Sequence, residues 1–415
     1  MFQKINAYDL GRDRKKDFRL FLVAFALFAL FGTLIQLCFG WYGTSNYVST
    51  LLAFSYFKQG FMRRGLVGTL FDLLCRLVPA AQSYRGAFWF MWGMNAAYFF
   101  SLLAFLRWIL SRIADKAVYR GAYFFSLICF AFLIPSACFQ YGALGRADLL
   151  QIALCLLQIY LIVKNRHVWL TVPFTAVNVL FHEGYVLMTF CAVLIVILYR
   201  SLNTPQRKKY WLLFAAHILT LLVVTLLSLK GSGSHGSPEA YESARALAES
   251  LNSRGSIHWN LLAMMAGYRP EDAPVINDAA IVAKGLQELP FFLVTFIPAF
   301  LLFGRGFVQM FRQAKGKRLG THITAMLLGP MLIGVEYVKF CDYGRYILWL
   351  VFYFLIVFLC FAAMDDEGAK GALQKAFGFS NGKALLVIAA MMVYQPLPTC
   401  SFTSISLLLR KLFYS

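Results

Sequence analysis

Four short polar clusters interrupt an otherwise apolar chain, and together they hold the residue types needed to bind an anion and move a proton. They are Arg63-Arg64-Gly65, Gly145-Arg146-Ala147-Asp148, His182-Glu183-Gly184 and Asp342-Tyr343-Gly344-Arg345. Arginine presents a planar fork of donors that suits phosphate oxygens, and a carboxylate or imidazole can act as a general base. Because ionisable groups near membrane depth are costly, they are usually retained for chemistry or transport.

The first two clusters combine cations with one acid. Arg63 and Arg64 stand side by side at the edge of an apolar region, as donors to a pyrophosphate-lipid would. The alternative is that they snorkel to ordinary lipid phosphates. Asp148 follows Arg146 at the start of a predicted helix, where the helix dipole stabilises an acid. These two residues could therefore act on a substrate or simply pair with each other.

The other two clusters supply further acids and a histidine. His182 and Glu183 lie at a break between two short apolar segments, a position that packing explains poorly. Glu183 could deprotonate a hydroxyl or hold His182 in one tautomer. An HExxH zinc motif is excluded because position 186 is valine. Asp342 and Arg345, at i and i+3, could join the same site or form a structural pair.

Composition establishes the class of protein. Of the 415 residues, 60% are hydrophobic and only 14% are charged, and the mean hydropathy is +0.65. A soluble domain carries about 25% charged residues, so the chain is predicted to be an all-α, polytopic integral membrane protein. The nine cysteines show no metal-ligand spacing, and neither a metal nor a cofactor is expected. His217 and His322 occur singly in apolar segments and are predicted to be hydrogen-bonded core histidines.

Apolar runs predict about eleven transmembrane helices in a single transmembrane domain, 1–415. The predicted spans are 20–40, 87–106, 121–141, 148–163, 168–181, 185–199, 210–229, 290–304, 321–338, 345–363 and 384–396. Three of them, 148–163, 168–181 and 185–199, fall short of the roughly 20 residues of a straight crossing. Short or broken helices are tolerated where they line a cavity. One long kinked span over 168–199 is the alternative, and it would invert the topology downstream.

The basic residues predict how these spans are oriented. The net charge of +20 comes largely from short basic clusters between alternate apolar segments, the pattern that marks cytoplasmic loops rather than a nucleic-acid surface. The basic start, 1–19, places the N-terminus in the cytoplasm. All four polar clusters then lie on the extracytoplasmic side, beside an amphipathic region, 42–86, and a large loop, 230–289. A helix in that loop is predicted to begin at Pro238, with Ser237 as its cap.

Taken together, these features resemble the Wzy-type O-antigen and capsular polysaccharide polymerases, within the broader GT-C-like class of polytopic glycosyltransferases. The resemblance is architectural: many spans, extracytoplasmic arginine clusters and one large external loop, 230–289, late in the chain. Metal-using GT-C enzymes are expected to hold a DxD-like pair in the first external region. Here Asp72 is the only acid between positions 42 and 86, which favours a metal-independent polymerase.

The resemblance implies a reaction and a role for each candidate residue. A growing glycan would pass from undecaprenyl pyrophosphate to a sugar of an incoming lipid-linked repeat unit, on the outer face of a bacterial inner membrane. Pyrophosphate would be bound by four arginines, Arg63, Arg64, Arg146 and Arg345. The base would be Asp148 or Glu183, with Asp342 as the third candidate, and His182 would orient the substrate. The expected partners are the lipid-linked glycan, membrane lipids and a chain-length regulator, and no nucleic acid.

Three other functions fit parts of the pattern. A flippase or transporter of lipid-linked sugars would use polar residues in the membrane, although such proteins often carry internal repeats and none is visible here. A membrane acyltransferase would use His182 as its catalytic histidine. A non-enzymatic envelope-assembly protein would use the arginines only to bind lipid.

Overall fold

The computed structural model describes residues 8–38, 45–62, 64–137, 146–187, 189–231, 236–252, 255–271, 300–314, 317–339 and 343–393, together with positions 283 and 297. These residues form α-helices joined by short turns and 3₁₀ segments, and no β-strand occurs among them. The helices are α1 (Arg14–Cys38), α2 (Asn46–Leu52), α3 (Tyr56–Gln59), α4 (Gly65–Leu77), α5 (Tyr84–Ser111), α6 (Lys116–Ala137), α7 (Ala147–Lys164), α8 (Thr171–Phe181), α9 (Phe190–Asn203), α10 (Arg207–Gly231), α11 (Pro238–Ser250), α12 (Trp259–Ala266), α13 (300–313), α14 (Lys317–Lys339), α15 (Tyr343–Ala363), α16 (Glu367–Phe377) and α17 (Asn381–Val393). The all-α class is therefore confirmed.

Seven helical segments in the described part of the chain are long and apolar enough to cross a membrane. They are Arg14–Leu34, Tyr84–Ser111, Lys116–Pro135, Ala147–Lys164, Glu183–Asn203, Arg207–Ser228 and Tyr346–Ala363. Val168–Phe181 and Asn381–Met392 are shorter apolar helices. The chain is thus a helical protein with several helices suited to a bilayer. The predicted total of eleven spans stays a prediction, and the span 290–304 lies largely outside the described residues.

The helix break predicted at His182 is present, and the chain reverses there. His182 has an extended backbone (φ −167°, ψ 124°), and a 3₁₀ segment, Glu183–Val186, follows it. The far end of α9 returns to the level at which α8 begins, because Arg200 Nη2 donates to the carbonyl oxygen of Val163 at the end of α7. The two short helices therefore run antiparallel to each other, each packed against α7, which excludes the single kinked span considered as an alternative.

Connecting segments gather into two groups at opposite ends of the helices. At the first, here named the Asp366 end, Lys116 Nζ lies 2.7 Å from Asp9 Oδ2, and Arg120 Nε donates to the Phe379 carbonyl at 3.0 Å. The second, here named the Arg64 end, holds a separate apolar core. That core is built from segments within 45–94, 147–154, 177–181 and 241–268. The two regions predicted to be extracytoplasmic, 42–86 and 230–289, therefore contribute to one and the same end wherever they are described.

Local sequence explains two features of these ends. The predicted cap is found, since Ser237 Oγ accepts from the Ala240 amide at 3.1 Å and Pro238 opens α11. The segment 364–383, which lies between two predicted spans, contains the helix α16, one face of which is buried. A Cβ at Gly121 would overlap the carbonyl of Leu373, so glycine allows α16 to lie directly against α6. Helix α16 was not predicted because its composition is mixed and contains no apolar run, although its alanine and glycine face is buried.

Candidate functional site

An ion pair between two of the predicted clusters forms the centre of the Arg64 end. The guanidinium of Arg64 grips both carboxylate oxygens of Glu183: its Nε lies 2.8 Å from Oε2 and 3.0 Å from Oε1, and its Nη2 also donates to Oε1. The side chains are 16% and 19% exposed. The pair is therefore largely desolvated, which strengthens it, yet a ligand can still reach it.

Tyr47 links this ion pair to the second cluster. Its hydroxyl oxygen accepts a hydrogen bond from Arg64 Nη1 at 3.0 Å. The Cζ atom of Arg146 lies over the Tyr47 ring, 5.0 Å from its centroid, a cation–π contact. Arg146 itself is only 9% exposed. One tyrosine therefore brings two guanidinium groups to the same place, where both could donate to a polyanion.

The backbone places Arg64 under constraint. Arg64 precedes α4 with φ at 57°, in the left-handed region that residues other than glycine seldom adopt. Helix α4 packs directly against the turn after α2. The contact is so close that a Cβ at Gly68 would overlap the carbonyl oxygen of Phe54. Thr69 Oγ1 also accepts from the Tyr56 amide at 2.8 Å. Strained residues that the surrounding structure holds in place cluster at functional sites.

His182 is fixed in one tautomer beside the ion pair. Its Nδ1 accepts a hydrogen bond from the Gly184 amide at 2.9 Å, so in this arrangement the ring proton is on Nε2. The same Nδ1 lies 3.9 Å from Glu183 Oε2. The carbonyl oxygen of His182 accepts from Gln151 Nε2 at 2.7 Å. His182 can therefore offer an Nε2–H donor, while Gln151 anchors its backbone to α7.

Asp148 lies in the first turn of α7, two residues after Arg146, and is 5% exposed. The positive end of the helix dipole favours a carboxylate at this position. Asp148 and Arg146 are held by α7, whereas Glu183 is held by the helix break. Three of the predicted clusters, each represented by at least one residue, thus contribute to this end of the protein.

A third acid at the same end, Asp72, has a structural environment. Its Oδ1 lies 3.1 Å from Lys58 Nζ, and its Oδ2 lies 3.2 Å from Arg76 Nη2 and 3.1 Å from Ser55 Oγ. Burial raises the pKa of this carboxyl, but the hydrogen bond and charge of Lys58, with Ser55 and Arg76, lower it by more. The net effect is a pKa below the ordinary value. Asp72 holds α3 and α4 together.

The remaining predicted site residues are described only in part or not at all. Arg63 and Asp342 lie outside the described residues. Arg345 falls in the first turn of α15, and its side chain is not among those described. Whether the fourth cluster reaches the site thus stays a prediction. Among the described residues, no group of three or more His, Cys, Asp and Glu side chains is arranged to hold a metal ion.

Two contributors were missed by sequence reasoning. Tyr47 lies in the amphipathic region 42–86 and was not singled out there. His258, from the loop 230–289, meets Tyr47 with the two rings perpendicular and their centroids 5.6 Å apart. The His258 amide also donates to Thr50 Oγ1 at 3.0 Å. No local signal marks either residue, since their importance follows from the docking of α12 beside α2.

The histidines predicted to lie in the core do so, but one has an unexpected partner. His217 is buried between two threonine hydroxyls, 2.9 Å from Thr171 Oγ1 and 2.7 Å from Thr175 Oγ1. At the Asp366 end, His322 Nε2 lies 2.9 Å from Asp366 Oδ1, and both residues are fully buried.

The described geometry therefore combines two clustered guanidinium groups, two carboxylates and a neutral imidazole donor at one end of an apolar helix bundle. These groups can bind a polyanion and transfer a proton. Comparisons of this chain with protein-family models, curated proteins and solved structures find no match.

Proposed function

We propose that this chain is a Wzy-like polymerase that joins lipid-linked glycan repeat units at the Arg64 end. The observation that supports this most is the bidentate Arg64–Glu183 pair, joined through Tyr47 to a second buried cation, Arg146. Two preorganised guanidinium groups in a poorly solvated position suit a diphosphate leaving group. The substrate class is a glycan on a polyprenyl pyrophosphate.

The reaction requires one base and one anion site. The base takes the proton of an acceptor-sugar hydroxyl, and the hydroxyl oxygen attacks the anomeric carbon of the donor glycan. The bond between that carbon and the pyrophosphate oxygen breaks, and its electron pair leaves with the pyrophosphate. Arg64 and Arg146 stabilise the charge that develops there. Arg63 and Arg345 stay candidates for the same task.

The two described acids are held by different elements. Glu183 is paired with Arg64, so its carboxylate positions the guanidinium and balances its charge. Asp148, on α7, is the other candidate for the base. His182, with its proton on Nε2, can donate to a sugar or phosphate oxygen. Asp342 remains the third candidate for the base.

The proposed location follows from the charge pattern. Basic segments meet at the Asp366 end, which therefore faces the cytoplasm, together with the N-terminus. The Arg64 end then faces outward from a bacterial inner membrane, where lipid-linked repeat units are joined. Membrane lipids and a chain-length regulator are the further partners that this proposal includes.

Carboxyl-to-amide variants test the proposal. Asp148→Asn and Glu183→Gln should abolish or strongly shorten the glycan chain-length ladder while lipid-linked repeat units accumulate on the outer face. Asp72→Asn is the matched control at the same end, and it should leave the ladder unchanged. Accumulation of repeat units on the cytoplasmic face would support the flippase instead. Normal ladders in both site variants would refute an enzymatic role for this end.

A further inference from the structure

Helix α7 carries a stripe of polar residues that begins at the candidate base Asp148 and continues with three residues that the proposed chemistry does not use. Its members are spaced at i, i+3, i+7 and i+10, which places them on one helical face. They are Asp148, Gln151, Cys155 and Gln158, and all four are buried. Buried polar side chains in an apolar bundle are costly unless they are hydrogen-bonded. The partners of this stripe therefore show what it holds.

Gln151 spans the helix break that carries His182. Its Nε2 donates to the carbonyl oxygen of Asn178, in the last turn of α8, at 2.8 Å. It also donates to the carbonyl oxygen of His182 itself, at 2.7 Å. Two carbonyl acceptors on opposite sides of the break define which way the amide faces. Each of these carbonyls also accepts a backbone amide, that of Asn178 from His182 at 3.2 Å and that of His182 from Tyr185 at 3.0 Å, so Gln151 adds a second hydrogen bond to both.

Gln158, two turns further along α7, makes the same kind of contact at the start of α8. Its Nε2 donates to the carbonyl oxygen of Thr171 at 2.7 Å and to Thr175 Oγ1 at 2.9 Å. Gln151 and Gln158 share residue type, helix, face and complete burial. They differ in what they hold: Gln151 donates to backbone carbonyls next to Glu183, whereas Gln158 Oε1 accepts from the side chains of Tyr185 at 3.1 Å and Asn178 at 3.2 Å.

We infer that Gln151 is a positioning residue that sets the register between the two halves of the site. One half, Arg146 and Asp148, is carried by α7, and the other, Arg64 with Glu183, is fixed at the break. The Gln151 amide links α7 to the backbone carbonyls at that break, whereas Gln158 reaches the same segment only through the Tyr185 hydroxyl among the described contacts. Its role in the reaction rests on the proposed function, but its control of the register does not.

Methionine substitutions separate this role from general packing, since methionine has nearly the length of glutamine but no amide donors. In nanodiscs, hydrogen exchange of the segment 182–187 should accelerate about tenfold in Gln151→Met, as expected for the loss of buried hydrogen bonds. Binding of inorganic pyrophosphate, measured by calorimetry, should weaken by about the same factor, because Arg146 and Arg64 lose their alignment. Gln158→Met, the matched comparison, loses the contact with the Tyr185 hydroxyl but keeps the Gln151 bonds to the Asn178 and His182 carbonyls. It should therefore accelerate exchange of 182–187 clearly less and leave pyrophosphate binding unchanged.

A glutamate at position 151 adds a readout that a packing role would not produce. When ionised, the carboxylate of Gln151→Glu faces two carbonyl oxygens, and the link is broken. When protonated, the same side chain regains one O–H donor. Exchange protection of 182–187, taken relative to the native protein at each pH, should therefore recover as the pH falls. The ratio cancels contributions from His182, Asp148, Glu183 and Arg64, which face this region in both proteins. Gln151→Met should show no such recovery.

The outcomes are distinct. Equal exchange in Gln151→Met and the native protein, or equal acceleration at 182–187 by Gln158→Met, would overturn the inference. Accelerated exchange with unchanged pyrophosphate binding would also overturn it, because the register would then not matter to the anion site. If the native protein binds pyrophosphate but forms no polymer from lipid-linked repeat units, the proposed function fails while the positioning role of Gln151 stands.

Discussion

Both ends of the molecule bury an acid against a cationic or titratable partner and a tyrosine, but the two arrangements are connected differently. At the Asp366 end, Asp366 caps α16 by accepting from the Ala369 amide at 2.8 Å. It also meets His322 Nε2 at 2.9 Å and the Tyr199 hydroxyl at 3.2 Å. Every partner closes a helix end or joins two packed helices. This arrangement is structural.

At the Arg64 end, the corresponding pair closes no helix. Arg64 and Glu183 are 119 residues apart in the chain, and Arg64 adopts a left-handed backbone to make the contact. The pair remains partly exposed, whereas the acid and histidine of the other end are fully buried. A buried acid is therefore not by itself a sign of chemistry. A partly exposed pair with a second guanidinium group beside it is a better indicator of a binding site.

The largest expected effect on stability is at the Asp366 end. Asp366→Ala removes a helix cap and leaves His322 and Tyr199 without their shared acceptor, so the free energy of unfolding should fall by about 3–5 kcal/mol. Denaturant unfolding in detergent micelles measures this. The neighbouring Glu367→Ala, whose side chain is 69% exposed, should change it by no more than about 0.5 kcal/mol. Equal effects of the two substitutions on the free energy of unfolding would contradict the structural role assigned to Asp366.

The next largest effect should fall on activity at the Arg64 end. Arg64→Lys keeps a positive charge but loses the fork that grips Glu183, so polymer formation should fall about 100-fold, the scale for loss of one preorganised donor. Its free energy of unfolding should change by only about 1 kcal/mol. Arg76→Lys, in the same helix α4 but paired with Asp72, is the control. Glycan chain-length ladders and the free energy of unfolding are measured on both variants. Similar ladders would show that the Arg64–Glu183 pair matters no more to the reaction than the Arg76–Asp72 pair.

Tyr47 should contribute less. Tyr47→Phe deletes the hydroxyl that accepts from Arg64 but keeps the ring beneath Arg146, so polymerisation should fall about fivefold, as for one hydrogen bond of about 1 kcal/mol. Tyr47→Leu also removes the cation–π contact and should lower it further. Steady-state polymerisation with purified lipid-linked substrate measures both. Tyr56→Phe, at the start of α3, serves as the control. Identical rates for Tyr47→Phe and Tyr47→Leu would show that Tyr47 does not organise Arg146.

The smallest effect concerns the pH dependence of stability. Burial raises the pKa of the Asp366 carboxyl, but hydrogen bonds from His322, Ala369 and Tyr199 and the charge of His322 lower it by more, so the net pKa lies below its ordinary value. A carboxyl with a lowered folded-state pKa stabilises the protein above its unfolded pKa of about 3.9. That contribution is lost as the pH falls through the folded-state pKa.

The native protein should therefore lose its stability advantage over Asp366→Asn below about pH 4. Unfolding free energies of the two proteins across an acid-to-neutral series provide the measurement. An advantage that stays constant over the whole series would mean that the ionised form of Asp366 is not what these bonds stabilise.

Much of the fold could be predicted because its signals are local. Apolar runs predicted the positions of α5, α7 and α15 closely, and Ser237 with Pro238 predicted the start of α11. The break at His182 was also visible, since a polar triplet separates two short apolar segments. Helix α16 was missed because its small and charged residues carry no apolar run, and its burial depends on contact with α6.

The sequence by itself determined that this is a helical protein suited to a membrane, and that its polar residues fall in a few positions at the ends of apolar segments. These properties follow from composition and from the short-range periodicity of each helix. Only the tertiary structure decided which polar groups meet. Arg64 finds Glu183, Tyr47 joins Arg64 to Arg146, and Gln151 fixes the break beside them. Such pairings depend on how helices that are far apart in the chain pack together, and residue spacing along the chain does not reveal that packing.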